Sequence, residues 1–258
     1  MGCSKVFLVG AGPGDSKLLT LRALEVLKVA DIIIYDRLVN KAILKVASEK
    51  AEKIYVGKVR GKHSLSQEKI NELMIKAALE GKTVVRLKGG DPFLFGRGGE
   101  EAEALAEKGI DFEVVPGVSS ALAAPVYAGI PLTHRVYASS VAIVTGSQAE
   151  DAGKPVRWDK LAEAVDTLVI LMGLEPLRDI AENLIKGGLS PETPAAVIEW
   201  GTLKKQRFLI GKLYNIAEEA HAKKFKPPAV IIVGEVATLG RKLSWFKKPQ
   251  RLREKPLP

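Results

Sequence analysis

The sequence predicts an α/β protein of two domains. Short apolar runs typical of buried strands alternate with segments of helical spacing. This alternation indicates a largely parallel sheet that helices cover on both faces. The pattern restarts after residue 128, and 258 residues are enough for two small domains. We therefore predict domains at 1–133 and 134–243, followed by a basic tail at 244–258.

Strand and helix patterns follow one another regularly in the first half. Thr20 and either Ser64 or Ser66 are suited to cap helix N-termini, because a hydroxyl can accept a backbone N–H. Gly81 and Gly109 are suited to end helices, because glycine adopts a positive φ without steric cost. The predicted strands are 5–9, 31–35, 53–56, 83–87 and 112–115, and the predicted helices are 20–30, 41–47, 66–80 and 97–108.

The second half begins with a helical pattern at 118–128 and continues less regularly. Residues 114–133 carry no charge and are nominally long enough to cross a membrane. They contain three prolines and two glycines, however, so we predict a turn, a short buried helix and another turn, and no membrane span. The polar residues 148–155 predict a surface loop. The remaining predicted strands are 140–145, 167–172, 195–200, 207–210 and 230–233, with helices up to 186 and over 213–223.

Composition and charge exclude several classes of protein. The net charge is +9, but residues 241–258 hold seven Lys/Arg and one Glu, so the other 240 residues carry only +3. A nucleic-acid-binding protein should instead show a basic patch on its folded body, and we expect no nucleic-acid partner. A single cysteine, Cys3, excludes a disulfide framework and fits a reducing compartment such as the cytoplasm. The three histidines show no ligand spacing, so we expect no metal site.

The loop Gly10-Ala-Gly-Pro-Gly-Asp15 follows the first predicted strand. A dinucleotide-binding loop needs a small residue at its sixth position, where this chain has Asp15. Pro13 also removes a backbone N–H that could meet a phosphate. A nicotinamide cofactor is therefore disfavoured, although the density of glycine and proline indicates a backbone shaped around a ligand.

The loop 88–99 follows another predicted strand and contains five glycines. Glycines let a backbone approach a ligand closely. Asp91 offers a carboxylate for a ribose hydroxyl or an ammonium group. Ligands of open α/β sheets bind at the carboxyl ends of strands, where this loop and the first loop both lie. The pattern therefore favours a binding site here over an ordinary turn.

Polar residues also follow the other strands of the first half. Ser119 and Ser120 come after a Pro-Gly turn; they could contact a ligand, but on their pattern alone an N-cap is favoured. Asp36 and Arg37 end the second predicted strand, and Lys58 follows the third. Charged groups at strand ends are either catalytic or merely solvated, and spacing does not decide between these alternatives.

Several blocks of sequence together resemble the tetrapyrrole methylase family. They are LVGAGPGD, YDRLV, VGK, VVRLKGGDPFLFGRGGEE, VVPGVSSALAAPVYAGIPLTHR, MGL, WGT and PPAVIIVG, in that order, between about Lys5 and Phe246. The resemblance implies two α/β domains, each an α/β/α arrangement, with a cleft between them that holds S-adenosylmethionine. It also implies a homodimer and a reaction without metal.

Matching positions carry over the family's functional residues. The implied contacts to S-adenosylmethionine are Pro13, Gly89, Gly90, Asp91, Leu94, Ser119, Ser120, Met172, Gly201 and Ala229. Asp36 matches the proposed proton acceptor and Lys58 the proposed proton donor, although Arg37 could weaken Asp36 as a base and Lys58 could instead anchor a carboxylate. The implied substrate carries eight carboxylates, and the residues expected to bind them are Arg37, Arg60, Lys88, Arg97 and Arg135.

The implied reaction is the transfer of two methyl groups from S-adenosylmethionine to C-2 and C-7 of uroporphyrinogen III, which gives precorrin-2 for sirohaem or cobalamin synthesis. The alternatives are methylation of a later corrin intermediate, of diphthamide or of ribosomal RNA, and a protein that binds a tetrapyrrole or adenosine without turnover. Many relatives carry His where this chain has Ser147, which bears on local substrate contacts.

Overall fold

The computed structural model describes residues 5–57, 65–147 and 154–246. The chain divides into two compact units, Met1–Ser120 and Ala121–Pro258. The division lies just after Ser120, the first residue of a helix, whereas the sequence pattern placed it at 133. The physical reason is the packing of that helix against residues of the second unit.

The first unit is built around a sheet whose neighbouring strands are all parallel. Its strand order is β3-β2-β4-β1-β5. The strands are β1 (Val6–Gly10), β2 (Ile32–Tyr35), β3 (Glu52–Tyr55), β4 (Val84–Lys88) and β5 (Phe112–Val115). The helices are α1 (Leu21–Val29), α2 (Lys41–Leu44), α3 (Gln67–Leu79) and α4 (Gly98–Glu107), with a 3₁₀ turn at Ser16–Leu18.

Apolar side chains alternate between the two faces of this sheet, as the period of a strand requires. Phe7 and Val9 belong to a core cluster with buried residues of α1 and α2. Val6 and Leu8 belong to another, with buried residues of α3 and α4. The predicted parallel sheet with helices on both faces is therefore confirmed for this unit.

The helix caps and stops that the sequence predicted in the first unit are confirmed. The hydroxyl of Thr20 accepts a hydrogen bond from the backbone N–H of Ala23 and caps α1. Ser66, the second of the two serines considered, caps α3. Gly81 and Gly109 follow α3 and α4 with φ of +82° and +64°, values that favour glycine.

The second unit contains a sheet of mixed direction in the order β6-β7-β10-β8-β9. Its first pair is parallel and the others are antiparallel, a mixture that the sequence pattern did not reveal. The strands are β6 (Val141–Thr145), β7 (Thr167–Leu171), β8 (Pro194–Glu199), β9 (Arg207–Lys212) and β10 (Ala229–Val233). The helices are α5 (Ser120–Tyr127), α6 (Trp158–Ala164), α7 (Leu177–Lys186), α8 (Ile216–Ala222) and α9 (Gly240–Leu243), with a 3₁₀ helix at Glu235–Leu239.

Helix α5 and the turn after it pack within the second unit. A Cβ placed on Gly201 would lie 2.4 Å from the Cβ of Ala124 in α5. The side-chain amide of Gln206 donates to the backbone oxygen of Tyr127 over 3.0 Å. Gly129 has a φ of +71° and its α-carbon lies against the backbone of Leu243. These contacts join α5 from Ala121 onward to the second unit, whereas the sequence pattern placed the boundary at 133.

The uncharged stretch 114–133 forms the end of β5, a turn, α5 and another turn, as predicted. Among the described helices, none combines the length and hydropathy that crossing a membrane requires. The predicted loop 148–155 lies mostly outside the described residues.

Candidate active site

Three loops lie side by side at the carboxyl edge of the first sheet. They follow β4, β1 and β5, which are neighbours in that order and run in parallel. The edge therefore gathers the first seven residues predicted to contact S-adenosylmethionine. These residues are Pro13 in the first loop, Gly89, Gly90, Asp91 and Leu94 in the second, and Ser119 and Ser120 in the third.

Backbone hydrogen bonds join the first loop to the second. The N–H of Ala11 donates to the oxygen of Lys88 over 2.7 Å. Gly12 and Gly90 exchange N–H···O bonds of 3.1 and 2.8 Å, which makes an antiparallel bridge beyond the ends of two parallel strands. The first loop is thus held open toward the second and does not close on itself as an ordinary turn would.

Glycine is required where the third loop meets the other two. A Cβ on Gly10 would lie 2.5 Å from the α-carbon of Gly117, and a Cβ on Gly117 would lie 2.2 Å from the backbone oxygen of Gly90. Gly90 itself has a φ of +69°, which disfavours any residue with a side chain. Three backbones therefore approach one another at distances that no Cβ allows.

The carboxylate of Asp91 ties the second loop to the third. Its Oδ1 accepts the N–H groups of Phe93 and Leu94 at 2.8 and 3.1 Å, and its Oδ2 accepts the N–H of Gly117 at 3.0 Å. Oδ1 uses both of its lone pairs in these bonds, whereas Oδ2 keeps one, and the predicted contact of Asp91 to a ligand stays a prediction. Its structural function, which the sequence did not reveal, is to hold two loops together.

The second loop folds back on itself before α4 begins. The N–H of Gly98 donates to the oxygen of Pro92 over 3.0 Å. Phe95 and Arg97 have φ of +52° and +59°, conformations that cost free energy in residues other than glycine. The exposed guanidinium of Arg97 forms two hydrogen bonds to Glu100, of 2.9 and 2.6 Å, which raise the pKa of Arg97. Its predicted role with a substrate carboxylate stays a prediction.

A cluster of four charged side chains, three of them buried, lies beside the loops near the end of β2. We call it the charge cluster and define it as Asp36, Arg86, Lys88 and Glu101. Arg86 donates from Nη2 to Asp36 Oδ1 over 2.7 Å and from Nε to Glu101 Oε1 over 2.9 Å. Lys88 donates to the same oxygen of Glu101 over 2.9 Å, and Gln67 does so over 3.1 Å.

Burial affects the two cations of the charge cluster differently. Desolvation, together with the neighbouring charge of Arg86, lowers the pKa of Lys88 below its ordinary value. Desolvation is also the largest single influence on Arg86 and opposes its charge, but the attraction of Glu101 and Asp36 outweighs it and raises the pKa of Arg86.

Two predictions about this region need correction. Lys88 is buried and bonded to Glu101, so its ammonium is not available to a substrate carboxylate as the sequence suggested. The cation that pairs with Asp36 is Arg86 from the neighbouring strand, whereas Arg37 is exposed. The adjacency of Asp36 and Arg37 in the sequence suggested the wrong partner for Asp36. Consecutive residues near the end of a strand direct their side chains to different sides.

Sequence reasoning missed Arg86 and Glu101. A signal existed for both of them. Arg86 is a charged residue between apolar neighbours in a strand whose five residues are all buried, so it requires a buried partner. Glu101 belongs to the buried side of α4 together with Ala102 and Leu105. A carboxylate at such a position is typical of a buried ion pair.

In the second unit, three predicted residues meet at one edge of the sheet. Because β10 is antiparallel to β7 and β8, its first residue lies level with their last residues. Ala229 begins β10, Met172 follows β7 and Gly201 follows β8. Met172 is half-exposed with a φ of +54°. Their contact with S-adenosylmethionine stays a prediction.

The remaining predicted residues are placed as follows. Arg135 and Ser147 are exposed in the second unit. Lys58 and Arg60 lie outside the described residues. Over the described ranges, no three His, Cys, Asp or Glu side chains gather in a way that could hold a metal ion.

A comparison with protein families decides the family. The profile described as Tetrapyrrole (Corrin/Porphyrin) Methylases matches residues 5–217. The chain belongs to the tetrapyrrole methylase family.

Relatives within the tetrapyrrole methylase family match almost the whole chain. It is 52% identical to the S-adenosyl-L-methionine-dependent uroporphyrinogen III methyltransferase of Methanosarcina barkeri, over 91% of this chain and 92% of that protein. It is 50% identical to the siroheme synthase of Nitrosospira multiformis, over 94% of this chain but 51% of that longer protein. The crystal structure of uroporphyrin-III C-methyltransferase from Thermus thermophilus, complexed with S-adenosylhomocysteine, matches with a TM-score of 0.79 and 42% identity, covering 92% of this chain and all of that one.

The three loops carry groups of the chemical kind that the methyl donor of a tetrapyrrole methylase needs. A Cβ on Gly90 would have Ser119 Cα and Ser120 N as its nearest neighbours, both at 3.9 Å, which is ordinary van der Waals contact. The second loop therefore lies directly beside the start of the third. The backbone groups of Gly89 and Gly90 and the serine side chains of the third loop are the kinds of donors and acceptors that an amino acid or a ribose needs.

Proposed function

We propose that this chain methylates uroporphyrinogen III with S-adenosylmethionine as the methyl donor. The observation that carries the proposal is the similarity over nearly the full chain to methyltransferases of that name, at about half of all positions. The loops at the carboxyl edge of the first sheet support it, because they bring glycine backbone, two serines and a carboxylate close together.

The reaction requires the protein mainly to align the methyl group with the acceptor carbon. When bound, S-adenosylmethionine supplies a methyl group that is already electrophilic, and an electron-rich pyrrole carbon can accept it directly. The loops fix their own geometry through Asp91 and the close contacts of Gly10 and Gly117. A rigid frame of this kind holds reacting atoms within about 3–3.5 Å of each other and limits access of water.

A proton must leave the ring system after each methyl transfer, and we assign its acceptance to Asp36. This carboxylate is about one-third exposed at the end of β2 and keeps Oδ2 free of bonds from described residues. Lys58 is proposed as the proton donor or as an anchor for a substrate carboxylate. Arg37, Arg60, Arg97 and Arg135 are proposed to bind the other carboxylates, for which a guanidinium fork is well suited.

The finer features of the reaction belong to the same proposal. The acceptor carbons are C-2 and C-7, and the product is precorrin-2. Similarity to half of a siroheme synthase supports a place in sirohaem synthesis, and the same product could equally serve cobalamin synthesis. We further propose a homodimer in the cytoplasm without nucleic-acid or membrane partners. Light scattering that gives the mass of a single chain would contradict the dimer.

The test is an anaerobic incubation of the protein with S-adenosylmethionine and freshly generated uroporphyrinogen III, followed by mass analysis. We expect two replacements of hydrogen by methyl together with S-adenosylhomocysteine. If the folded protein binds the methyl donor but leaves uroporphyrinogen III unchanged, the substrate assignment is wrong. Later corrin intermediates are then the next substrates to test.

A further inference from the structure

The charge cluster connects the interior of the first unit to its surface through one guanidinium. The side chain of Glu101 is 0% exposed, that of Arg86 is 3% exposed and that of Asp36 is 32% exposed. Arg86 touches both carboxylates, so it links a fully buried acid to one that a substrate can reach. The guanidinium is also bonded to the backbone oxygens of Ile34 and Leu87, at 3.3 and 3.4 Å.

The register of the sheet explains this arrangement. Arg86 follows Val84 by two residues, so its side chain points to the face that α3 and α4 cover. It pairs laterally with Ile34 in β2, and Asp36 follows Ile34 by two residues on the same side. The guanidinium therefore lies close to Asp36, the first residue after β2.

Stability alone does not account for Glu101. Its Oε1 accepts from Arg86, Lys88 and Gln67, while its Oε2 is buried and accepts no hydrogen bond from any described residue. A buried carboxylate with an unbonded oxygen is unfavourable, and apolar residues often replace buried ion pairs without loss of stability. The arrangement does, however, fix the orientation of Arg86, because a bond at Nε and a bond at Nη2 determine the plane of the guanidinium.

We propose that Glu101 and Arg86 are positioning residues for the methyl-transfer reaction. Glu101 orients Arg86, and Arg86 holds Oδ1 of Asp36 so that Oδ2 faces the substrate and accepts the proton. This inference rests on the proposed function and on the proposed role of Asp36. It adds two residues that are too deeply buried to touch a substrate and that act through Asp36.

A double-mutant cycle with single-turnover rates tests the proposal. We expect Glu101→Asp, which keeps the charge but withdraws the carboxylate by one methylene, to slow methyl transfer about 10- to 100-fold, the usual effect of misplacement by about 1 Å. Asp36→Asn should also slow transfer. The double variant should be no slower than Asp36→Asn alone, because Glu101 acts only through Asp36. The KM for uroporphyrinogen III and the affinity for S-adenosylmethionine should not change.

Two further variants complete the design. Glu103→Gln is the matched control, because Glu103 is exposed on the same helix, and it should leave the rate unchanged. Glu101→Gln removes the charge and is expected to slow transfer at least as much as Glu101→Asp. If Glu101→Gln does not fold, Glu101→Asp still tests the positioning role, because this variant keeps the two cations and two carboxylates of the charge cluster.

The outcomes are distinguishable. An active wild type whose Glu101→Asp variant transfers methyl at the normal rate would overturn the positioning role. So would a double variant whose losses multiply, or a loss of rate that comes with weaker binding of both substrates, since either result indicates a merely structural residue. A wild type that binds S-adenosylmethionine but does not methylate uroporphyrinogen III would overturn the proposed function and this inference with it.

Discussion

At the scale of single residues, the site depends on glycines, whose lack of a Cβ lets the loops approach one another. Gly10 and Gly117 bring the first and third loops together because neither has a Cβ, and Asp91 then bonds across the gap to the N–H of Gly117. The glycine-rich sequence predicted a ligand-binding loop. It did not show which glycines make contacts between loops, because such contacts depend on strand order, and β4, β1 and β5 are far apart in the chain.

Gly117→Ala and Gly99→Ala form a matched pair. The Cβ of the first would meet the oxygen of Gly90 at 2.2 Å, so we expect a loss of stability of about 3 kcal/mol and an affinity for S-adenosylmethionine reduced more than about tenfold. The Cβ of the second would meet nothing within 4 Å at an exposed helical position, so stability should stay the same or rise by up to about 1 kcal/mol. Denaturant unfolding and calorimetric titration measure both. Equal effects of the two substitutions would contradict the close approach of the loops.

Glu113 predicts a pH dependence of stability. It bonds to Lys5 and Arg22, and these partners, Arg22 first, lower the pKa of Glu113 from 4.5 to about 2. A depressed pKa in the folded state means stabilisation that is fully present above pH 4.5 and is lost as the pH falls toward 2. Glu113→Gln should therefore lower the melting temperature at neutral pH, and the difference from the wild type should shrink between these two values. A difference that does not depend on pH would argue against the ion pair.

At the scale of elements, the sequence predicted the first unit better than the second. Thr20, Ser66, Gly81 and Gly109 marked the helix ends correctly, because caps and stops are local features. Helix α6 was not predicted, since its N-cap residue Arg157 makes no side-chain cap bond and leaves no recognisable start signal. The antiparallel strands of the second unit were missed because strand direction depends on pairing partners far along the chain.

The residue that caps the short helix α2 also contacts the first loop. The side chain of Asn40 caps α2 by accepting the N–H of Ala42, and it donates to the oxygen of Gly14 in the first loop over 2.7 Å. We expect Asn40→Ala to cost about 1 kcal/mol of stability and to weaken S-adenosylmethionine binding about fivefold, the equivalent of one hydrogen bond. Ser66→Ala removes the cap of α3 and should cost similar stability without changing affinity. Unchanged affinity in Asn40→Ala would show that the first loop does not need this tether.

At the scale of the whole molecule, length and the restart of the pattern predicted two units, and the division lies at Ser120. The sequence could not place it there. Helix α5 consists mainly of small apolar residues, which can pack against many surfaces, and the partners that decide, such as Gly201 and Gln206, lie far along the chain. The glycine-rich motifs predicted the loops of the site better than the hydrophobic pattern predicted the division between the units. A loop sequence specifies its backbone locally, whereas the division depends on distant contacts.

The proposed methylation is tested most directly by one anaerobic reaction with uroporphyrinogen III in which tetrapyrrole mass and S-adenosylhomocysteine are measured together over time. We expect a singly methylated species that appears first and is then consumed, a doubly methylated product, and two molecules of S-adenosylhomocysteine for each product formed. A folded protein that binds S-adenosylmethionine yet yields neither methylated species would contradict the account.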